Sequence, residues 1–347
     1  MIELVKPEFV KGDEKRFNKF VSELKSSDKI ALISHESDPD GIISAKIVNA
    51  AVKTSFIKFI GYTDANIELV KEVKKSGANK VIITDLYIKD RNFLDKLAEF
   101  SEILIIDHHL FENDWNSDKI IFMNAQEFCA AYLTYYLFRK TKDIEKYDWL
   151  VACASVSDWQ YTKNARWMED VYEKYKEKFS PTIEGIKKSK FFEIVDKISL
   201  GIIYHKKEVK IIYEQIGEKF GDIGNIEKHS AEVRDEINKL LIDFEKNKIN
   251  IKDGFFYEIE SRLPLSSYLC TTISSKIQNK TIIISQKEND IYKMSARRQD
   301  KKESMDSFLR ELVSGLENSK AGGHTAAAGA SFMLKDLEEF KKRIKNL

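Results

Sequence analysis

The sequence predicts an α/β protein: a parallel-sheet domain over residues 1–163, a helical connector over 164–250 and a smaller α+β domain over 251–347. In the first half, apolar runs without polar alternation are separated by segments of helix length, which is typical of a parallel sheet covered on both faces. The middle is rich in Lys and Glu, with apolar residues at helical spacing. After residue 252, strand-like and helix-like segments return.

The first half alternates strands and helices in a regular order. The predicted strands cover residues 29–34, 56–62, 80–84, 103–106 and 120–123. The predicted helices cover residues 41–52, 65–76, 91–100, 127–139 and 144–157. Because strands of this kind are apolar on both sides, helices are expected to pack on both faces of their sheet.

The rest of the chain has less regular patterns. The connector is predicted to be helical, and its many charges are most simply a solvated face. In the third region the predicted elements are a strand over 255–259, a helix over 265–277, a hairpin over 281–297, and helices over 304–316 and up to 347.

Composition excludes several functional classes. The chain has 57 Lys and Arg against 56 Asp and Glu, so nucleic-acid contacts must come from local basic surface rather than a strong overall field. Its three cysteines form no CxxC pair, which argues against a disulfide framework and a thiolate zinc site. The sequence has no signal-like N-terminus and no long uncharged apolar run, which predicts a cytoplasmic protein without a membrane partner.

Carboxylates and imidazoles follow three of the predicted strands. These side chains are His35, Asp38 and Asp40 after the first strand, Asp85 after the third, Asp107, His108 and His109 after the fourth, and Asp158 at the end of a helix. Each alone has an ordinary explanation, such as a helix cap. The carboxyl ends of parallel strands meet at one edge of a sheet, and clustered carboxylates repel one another unless cations neutralise them. The pattern therefore predicts a metal site.

The donor set narrows the choice of metal. Mixed imidazole and carboxylate ligands without thiolate suit Mn, Fe or Zn, whereas sites made only of oxygen suit Mg or Ca. The number of donors is sufficient for two ions about 3.5–4 Å apart, a spacing used in phosphoryl hydrolysis.

Five motifs resemble those of a known family. SHESDPDG at residues 34–41, TD ending at Asp85, DHH at 107–109 and SD ending at Asp158 resemble the four motifs of the DHH phosphoesterase superfamily. AGGHTAAAG at residues 321–329 is similar to the glycine-histidine signature of its C-terminal DHHA1 domain. The resemblance covers nearly the whole chain except the helical middle.

The resemblance implies a role for each matching residue. Two divalent ions, Mn²⁺ with Mg²⁺ as the alternative, would be held by His35, Asp38, Asp40, Asp85, His108 and Asp158, with Asp85 bridging. His109 would face the substrate phosphate, and Asp107 would orient His108. The substrate-binding residues would be Arg297, Gly322, Gly323 and His324.

The implied activity is that of a two-metal phosphodiesterase of the exonuclease or nanoRNase type, which hydrolyses single-stranded or short RNA or DNA to mononucleotides. Two alternatives stay open: hydrolysis of a small nucleotide, such as a cyclic dinucleotide or pAp, and a non-catalytic scaffold associated with replication. The resemblance also leaves open a homodimer and partners from replication or repair.

Overall fold

The computed structural model describes residues 2–206 and 208–346. The chain divides into two compact units, Met1–Ser230 and Ala231–Leu347. The domain boundaries that the sequence suggests, at residues 163 and 250, stay a prediction.

A parallel sheet forms the centre of the first unit. Its strands are β1 (Ile30–His35), β2 (Phe56–Ile60), β3 (Lys80–Thr84), β4 (Glu102–Asp107) and β5 (Ile120–Asn124), in the order β2-β1-β3-β4-β5. Each neighbouring pair is parallel. The predicted parallel sheet is therefore confirmed, and β1, β3 and β4 end side by side.

Helices cover both faces of this sheet. They are α1 (Glu14–Ser22), α2 (Pro39–Ala51), α3 (Ile67–Lys75), α4 (Arg91–Ala98), α5 (Ala130–Arg139), α6 (Asp148–Ser157), α7 (Ala165–Lys174), α8 (Ile183–Lys187), α9 (Lys190–His205) and α10 (Val209–Gln215). Leu104 and Ile106 pack into one core with α2, α5 and α6, whereas Ile103 and Ile105 pack into the other with α3 and α4. Because successive side chains of a strand point to opposite faces, one apolar run serves both cores.

The predicted helical connector is confirmed as a helical region. It contains α7 to α10 and continues into α11 (Ile226–Asn247), within which the division between the two units falls. Among the described residues, no helix combines the length and the apolar character that crossing a membrane requires.

The second unit is built on a mixed sheet. Its strands are β6 (Ile249–Ile251), β7 (Gly254–Ile259), β8 (Thr281–Glu288), β9 (Ile291–Arg297), β10 (Lys320–His324) and β11 (Ala327–Met333), in the order β10-β11-β9-β8-β7-β6. Within this second sheet, the β7–β8 pairing is parallel and the other pairings of the described strands are antiparallel. The accompanying helices are α12 (Ser266–Lys276), α13 (Met305–Leu312) and α14 (Leu337–Lys345).

The second unit confirms the predicted α+β class and differs in detail. The hairpin expected over residues 281–297 is β8 and β9. The sequence did not predict β10 and β11, which form a further hairpin. The last helix ends at Lys345, and its predicted end at residue 347 lies outside the described residues.

The turn from β1 into α2 fixes the first chemical motif. The Asp38 side chain accepts a hydrogen bond from the N–H of Gly41 at 3.1 Å, and Pro39 occupies the first turn of the helix. A Cβ on Gly41 would lie 2.4 Å from the carbonyl oxygen of His35, so a side chain there would force the strand and the helix apart. The motif is therefore held tightly against the end of the sheet.

Three free thiols lie inside the protein. Cys129 and Cys153 are in the first unit and Cys270 is in the second, and each is 0% exposed.

Candidate metal centre

Imidazole and carboxylate groups meet at the carboxyl ends of β1, β3 and β4. Nε2 of His108 lies 3.3 Å from Oδ1 of Asp85, 3.4 Å from Oδ2 of Asp158 and 3.8 Å from Oδ2 of Asp40. The end of α6 supplies Asp158, and the first turn of α2 supplies Asp40. Four separate segments thus contribute to one cluster.

A second group adjoins the first through Asp85. Nδ1 of His35 lies 2.9 Å from Oδ2 of Asp38 and 3.8 Å from Oδ2 of Asp85. One oxygen of Asp85 therefore faces His108 and the other faces His35. This is the arrangement that a bridging carboxylate requires.

Three overlapping groups could hold a metal ion, because their ligand atoms lie within 4.8 Å of one another. The groups are His35 with Asp38 and Asp85, Asp40 with His108 and Asp158, and Asp85 with His108 and His109. All six side chains that the sequence nominates as ligands are thus brought together, and their role as ligands stays a prediction.

Asp85 has a conformation and an environment that fit a bound cation. Its backbone φ is +52°, in the left-handed region that non-glycine residues seldom adopt. Its side chain is buried, and Oδ2 has no hydrogen-bond partner among the described residues. A buried oxygen without a donor is costly, and a cation is the partner that would satisfy it.

The electrostatics of the carboxylates favour the same conclusion. Burial, followed by repulsion from neighbouring carboxylates, raises the pKa of Asp85 and Asp158 well above the usual value. Burial also raises the pKa of Asp40. These shifts mean that the cluster resists carrying its full negative charge until a positive charge is present.

His35 and Asp38 form an ion pair in the absence of metal. Burial alone would lower the pKa of His35, but the hydrogen bond to Asp38 and the interaction with Asp85 raise that pKa to about 10. Burial opposes ionisation of Asp38, yet His35 lowers the pKa of this carboxyl to about 2. A metal bound here would displace the imidazole proton, because a histidine ligand must be neutral.

Asp40 and Asp38 also act as helix caps. Both oxygens of Asp40 accept hydrogen bonds from the start of α5, from the N–H of Ala130 at 2.7 Å and of Ala131 at 2.8 Å. Asp38 therefore caps α2, the helix that follows it directly in the sequence. Asp40 lies inside α2 and caps the distant helix α5. Capping and membership of the cluster coexist because each carboxylate oxygen has two lone pairs.

Asp107 positions His109. Its Oδ1 lies 2.8 Å from Nδ1 of His109 and accepts the backbone N–H of the same residue at 2.7 Å, while Oδ2 accepts the N–H of Leu86 at 2.7 Å. The expectation that Asp107 orients His108 is wrong. The turn after β4 folds His109 back over this carboxylate, whereas His108 extends towards the acidic cluster.

Asn124 secures the same turn. Its Nδ2 donates to the carbonyl oxygens of Asp107 and His109, both at 3.0 Å. The sequence gives no indication of this role, because Asn124 lies at the end of β5 and carries no recognisable motif.

Tyr62 is a site residue that the sequence analysis missed. Its hydroxyl oxygen lies 3.2 Å from Nε2 of His109, and its ring stacks on His35 with 4.3 Å between the ring centroids. Burial and the nearby carboxylates raise the pKa of Tyr62, so the phenol stays neutral and can donate a hydrogen bond. The sequence places Tyr62 at the end of the predicted strand 56–62, but β2 ends at Ile60, and Tyr62 lies in the turn that follows.

The second unit contains the remaining predicted residues. Nη2 of Arg297 lies 3.2 Å from Oγ of Ser267, and Nη1 donates to the carbonyl oxygens of Ala296 and Ala328. Gly322, Gly323 and His324 are exposed on β10, and a cavity of about 420 Å³ includes Ser267 and Gly322 in its lining. Their part in binding a substrate stays a prediction.

Arg298 differs from its neighbour. It is buried, and it donates to Asp300 at 2.8 Å and to Asp253. This guanidinium ties the loop before β7 to the loop after β9. Its role is therefore structural.

Comparison with known families gives two matches. Residues 29–155 match the DHH family, N-terminal domain, and residues 264–347 match the DHHA1 domain. No curated protein sequence matches the chain.

Several solved structures have a similar fold. The exonuclease RecJ bound to manganese is 14% identical, with 99% of this chain and 95% of that chain covered and a TM-score of 0.73. RecJ from Thermus thermophilus in complex with Mn²⁺ is also 14% identical, with 100% and 55% covered and a TM-score of 0.69. An exopolyphosphatase-related protein from Bacteroides fragilis is 15% identical, with 96% and 95% covered and a TM-score of 0.52. At these identities the likeness is one of fold.

Proposed function

This chain belongs to the DHH family, with a DHH domain followed by a DHHA1 domain. From that premise we propose that it is a two-metal phosphodiesterase. It would hydrolyse single-stranded or short oligonucleotides to mononucleotides. The observation that carries the proposal is the position of Asp85, whose two oxygens face two different groups of ligand atoms. Such a shared carboxylate is the feature that distinguishes a two-ion centre from a single site.

The six clustered side chains would hold the ions. His35 and Asp38 would bind one, His108, Asp40 and Asp158 the other, and Asp85 both. Mixed nitrogen and oxygen donors favour Mn²⁺, and manganese accompanies the two RecJ structures named above. When bound, the ions supply Lewis acidity, which neutralises phosphate oxygens and lowers the pKa of a water molecule.

The protein's own groups would orient the substrate phosphate. His109 is fixed through Nδ1 by Asp107, so its Nε2 is directed towards the position that the Tyr62 hydroxyl now approaches. A phosphate oxygen arriving there would take a hydrogen bond or a proton from Nε2. Asp107 would stabilise the positive charge of the imidazolium while it acts, since it is buried beside the ring.

The DHHA1 unit would bind the nucleotide itself. The guanidinium of Arg297 would grip a phosphate or a base, because a planar fork of donors matches both. Gly322 leaves the backbone of β10 open to close approach, and Gly323 and His324 are exposed beside it.

The test combines metal analysis with end-labelled oligomers of graded length. With Mn²⁺ we expect release of mononucleotides. The Asp158→Asn variant should lose at least about 100-fold in turnover, which would exclude a contaminating nuclease. The matched control is Asp118→Asn, the same change at an exposed position, which should behave as wild type.

Two results would overturn the proposal. Turnover of a cyclic dinucleotide or pAp, without turnover of any linear oligomer, would reassign the enzyme to small nucleotides. Binding of metal and of single strands without hydrolysis of any of these substrates would instead indicate a non-catalytic scaffold.

A further inference from the structure

The end of helix α6 contains an unusual residue directly after Asp158. Trp159 has a backbone φ of +57°. Its N–H donates to the carbonyl oxygen of Val156 at 3.2 Å, and the N–H of Gln160 donates to that of Ser155 at 2.9 Å. These two bonds define a Schellman motif, in which Trp159 occupies the left-handed position that helices usually give to glycine.

The fold gains little from a tryptophan at this position. A bulky L-residue in the left-handed region is strained, and such outliers collect at functional sites. The side chain of Trp159 is 43% exposed, whereas the other tryptophans, Trp115, Trp149 and Trp167, are 7% exposed or less. The strained backbone of Trp159 is thus not offset by full burial of its side chain.

The location of Trp159 suggests what the indole is for. It follows Asp158, whose carboxylate lies 3.4 Å from His108 in the metal cluster. The indole lies against the rings of Tyr161 and Phe192, with ring centroids 6.2 Å and 6.4 Å away. The supported ring is therefore held in place while much of its surface faces solvent.

Two other exposed apolar side chains adjoin residues of this site, Leu110 in the sequence and Tyr62 by direct contact. Leu110, which is 73% exposed, follows His109, and Tyr62, which is 40% exposed, stacks on His35. Inorganic phosphates carry no apolar surface and would gain nothing from these groups. A nucleobase would gain from them, because every base has a π-face that stacks on aromatic rings regardless of sequence.

We propose that Trp159 is the stacking surface for the base of the nucleotide whose phosphate is hydrolysed. This inference rests on the proposed function and narrows its substrate class to phosphate esters that bear a base, as opposed to inorganic polyphosphate. Stacking is tolerant of base identity, so the enzyme would process strands of mixed sequence.

Replacement by glycine separates the functional from the structural role. Trp159→Gly fits the φ of +57° without strain, so its melting temperature should stay close to that of wild type. The variant should raise the KM for a 5′-phosphorylated dinucleotide about tenfold, the typical value of one base stack, and leave kcat within about twofold. Trp159→Phe keeps an aromatic ring and should restore most of the affinity.

An abasic dinucleotide of the same charge tests whether the base is what matters. In wild type, kcat/KM should be higher for the base-bearing dinucleotide than for the abasic one. In Trp159→Gly the ratio of the two kcat/KM values should fall towards one. Ile183→Ala, a truncation of an apolar side chain that is 63% exposed on α8, should keep the preference of wild type. An unchanged preference in Trp159→Gly, or an equal loss on both substrates with a lowered melting temperature, would overturn the inference.

Tryptophan fluorescence makes the inference independent of turnover. Because Trp159 is the most exposed tryptophan, addition of dAMP to wild type should quench emission, and the quenching should vanish in Trp159→Gly. If wild type hydrolyses dinucleotides without quenching or preference, the stacking inference fails and the proposed function stands. If dAMP quenches but no nucleotide is hydrolysed, the proposed function fails, and only the binding of a base to Trp159 stands.

Discussion

Nδ1 of His109 lies 2.8 Å from Oδ1 of Asp107, and the backbone N–H of His109 donates to the same oxygen at 2.7 Å. One buried carboxylate oxygen therefore fixes both the backbone and the ring of this histidine. The carboxylate faces the ring edge that carries Nδ1, which leaves Nε2 on the opposite edge, 3.2 Å from the hydroxyl oxygen of Tyr62. Of the two histidines of the DHH motif, His108 therefore points into the acidic cluster, whereas His109 is held by Asp107.

Asp107→Asn should reduce turnover while leaving metal binding intact. The amide has nearly the same size, but it cannot supply the negative charge that aligns His109 and stabilises its protonated form. We expect kcat to fall about 10- to 100-fold. Elemental analysis should find the same metal content as in wild type, with Asp118→Asn as the matched control. Loss of metal from Asp107→Asn would instead place Asp107 among the groups that hold the ions.

Asp85→Asn should abolish activity and stabilise the protein in the absence of metal. The substitution removes a buried carboxyl whose ionisation is opposed by burial and by Asp38 and Asp40, and asparagine tolerates the positive φ. We expect turnover to fall at least about 100-fold, and the melting temperature in chelator to rise by about 3 °C or more.

The stabilising effect of Asp85→Asn should depend on pH. The pKa of Asp85 is raised in the folded state, so the folded protein retains a proton that the unfolded chain has lost. The carboxyl therefore destabilises the metal-free protein increasingly as the pH rises above the unfolded pKa. The gain from Asp85→Asn should be larger at about pH 8 than at about pH 5. An equal gain at both pH values would contradict the assigned shift.

Arg298→Met should destabilise the second unit in a way that fades in acid. Hydrogen bonds from Arg298 lower the pKa of Asp253 and Asp300 below the usual value of 3.8. A carboxyl whose pKa is lower in the folded state stabilises the fold when the pH is above its pKa in the unfolded chain. This contribution is lost as the pH falls through its pKa in the folded state. The melting temperature should therefore drop by roughly 5 °C at about pH 7, and the drop should shrink as the pH falls below about 4.

The adjacent Arg297 provides the matched control for Arg298. Arg297→Met makes the same chemical change one residue away, where the guanidinium contacts Ser267 and two carbonyl oxygens instead of carboxylates. We expect no comparable dependence of its stability on pH. A similar acid dependence in both variants would mean that the effect does not come from the Asp253 and Asp300 pairs.

Arg297→Ala should weaken substrate binding with little effect on the metal centre. The loss of a charge-assisted hydrogen bond to a phosphate should raise the KM for an oligonucleotide about tenfold or more. Metal content and kcat at saturating substrate should stay near those of wild type. A fall in kcat with an unchanged KM would argue that Arg297 acts on the reaction itself.

Much of the fold could be predicted because the relevant signals are local. Short apolar runs such as residues 103–106, separated by segments of helix length, predict strands buried on both faces, and the structure divides that run between two cores. The cluster of ligand atoms was predictable for a related reason, since the residue that follows a parallel strand must lie at the carboxyl edge of the sheet.

The parts that could not be predicted depend on contacts between distant residues. The β10–β11 hairpin is rich in Gly and Ala, which disfavour strands, and the pairing of β11 with β9 holds it in place. Tyr62 reaches His109 across 47 positions of the sequence, and no periodicity encodes such a contact. Whether Asp107 bonds to His108 or to His109 depends on the path of the turn after β4, because both histidines are close to it along the chain.

The three enclosed thiols give the molecule internal reporters of local opening. Burial raises the pKa of each cysteine. While the protein is folded, an alkylating reagent therefore cannot reach the sulfur, and the sulfur is not in its reactive thiolate form. Labelling rates would therefore measure how often each region opens by local unfolding. Cys129, at the start of α5, would report on the chain around Asp40. Cys270 would report on the sheet of the second unit. Comparing the two rates before and after loading with manganese would reveal whether the ions rigidify one half of the protein or both.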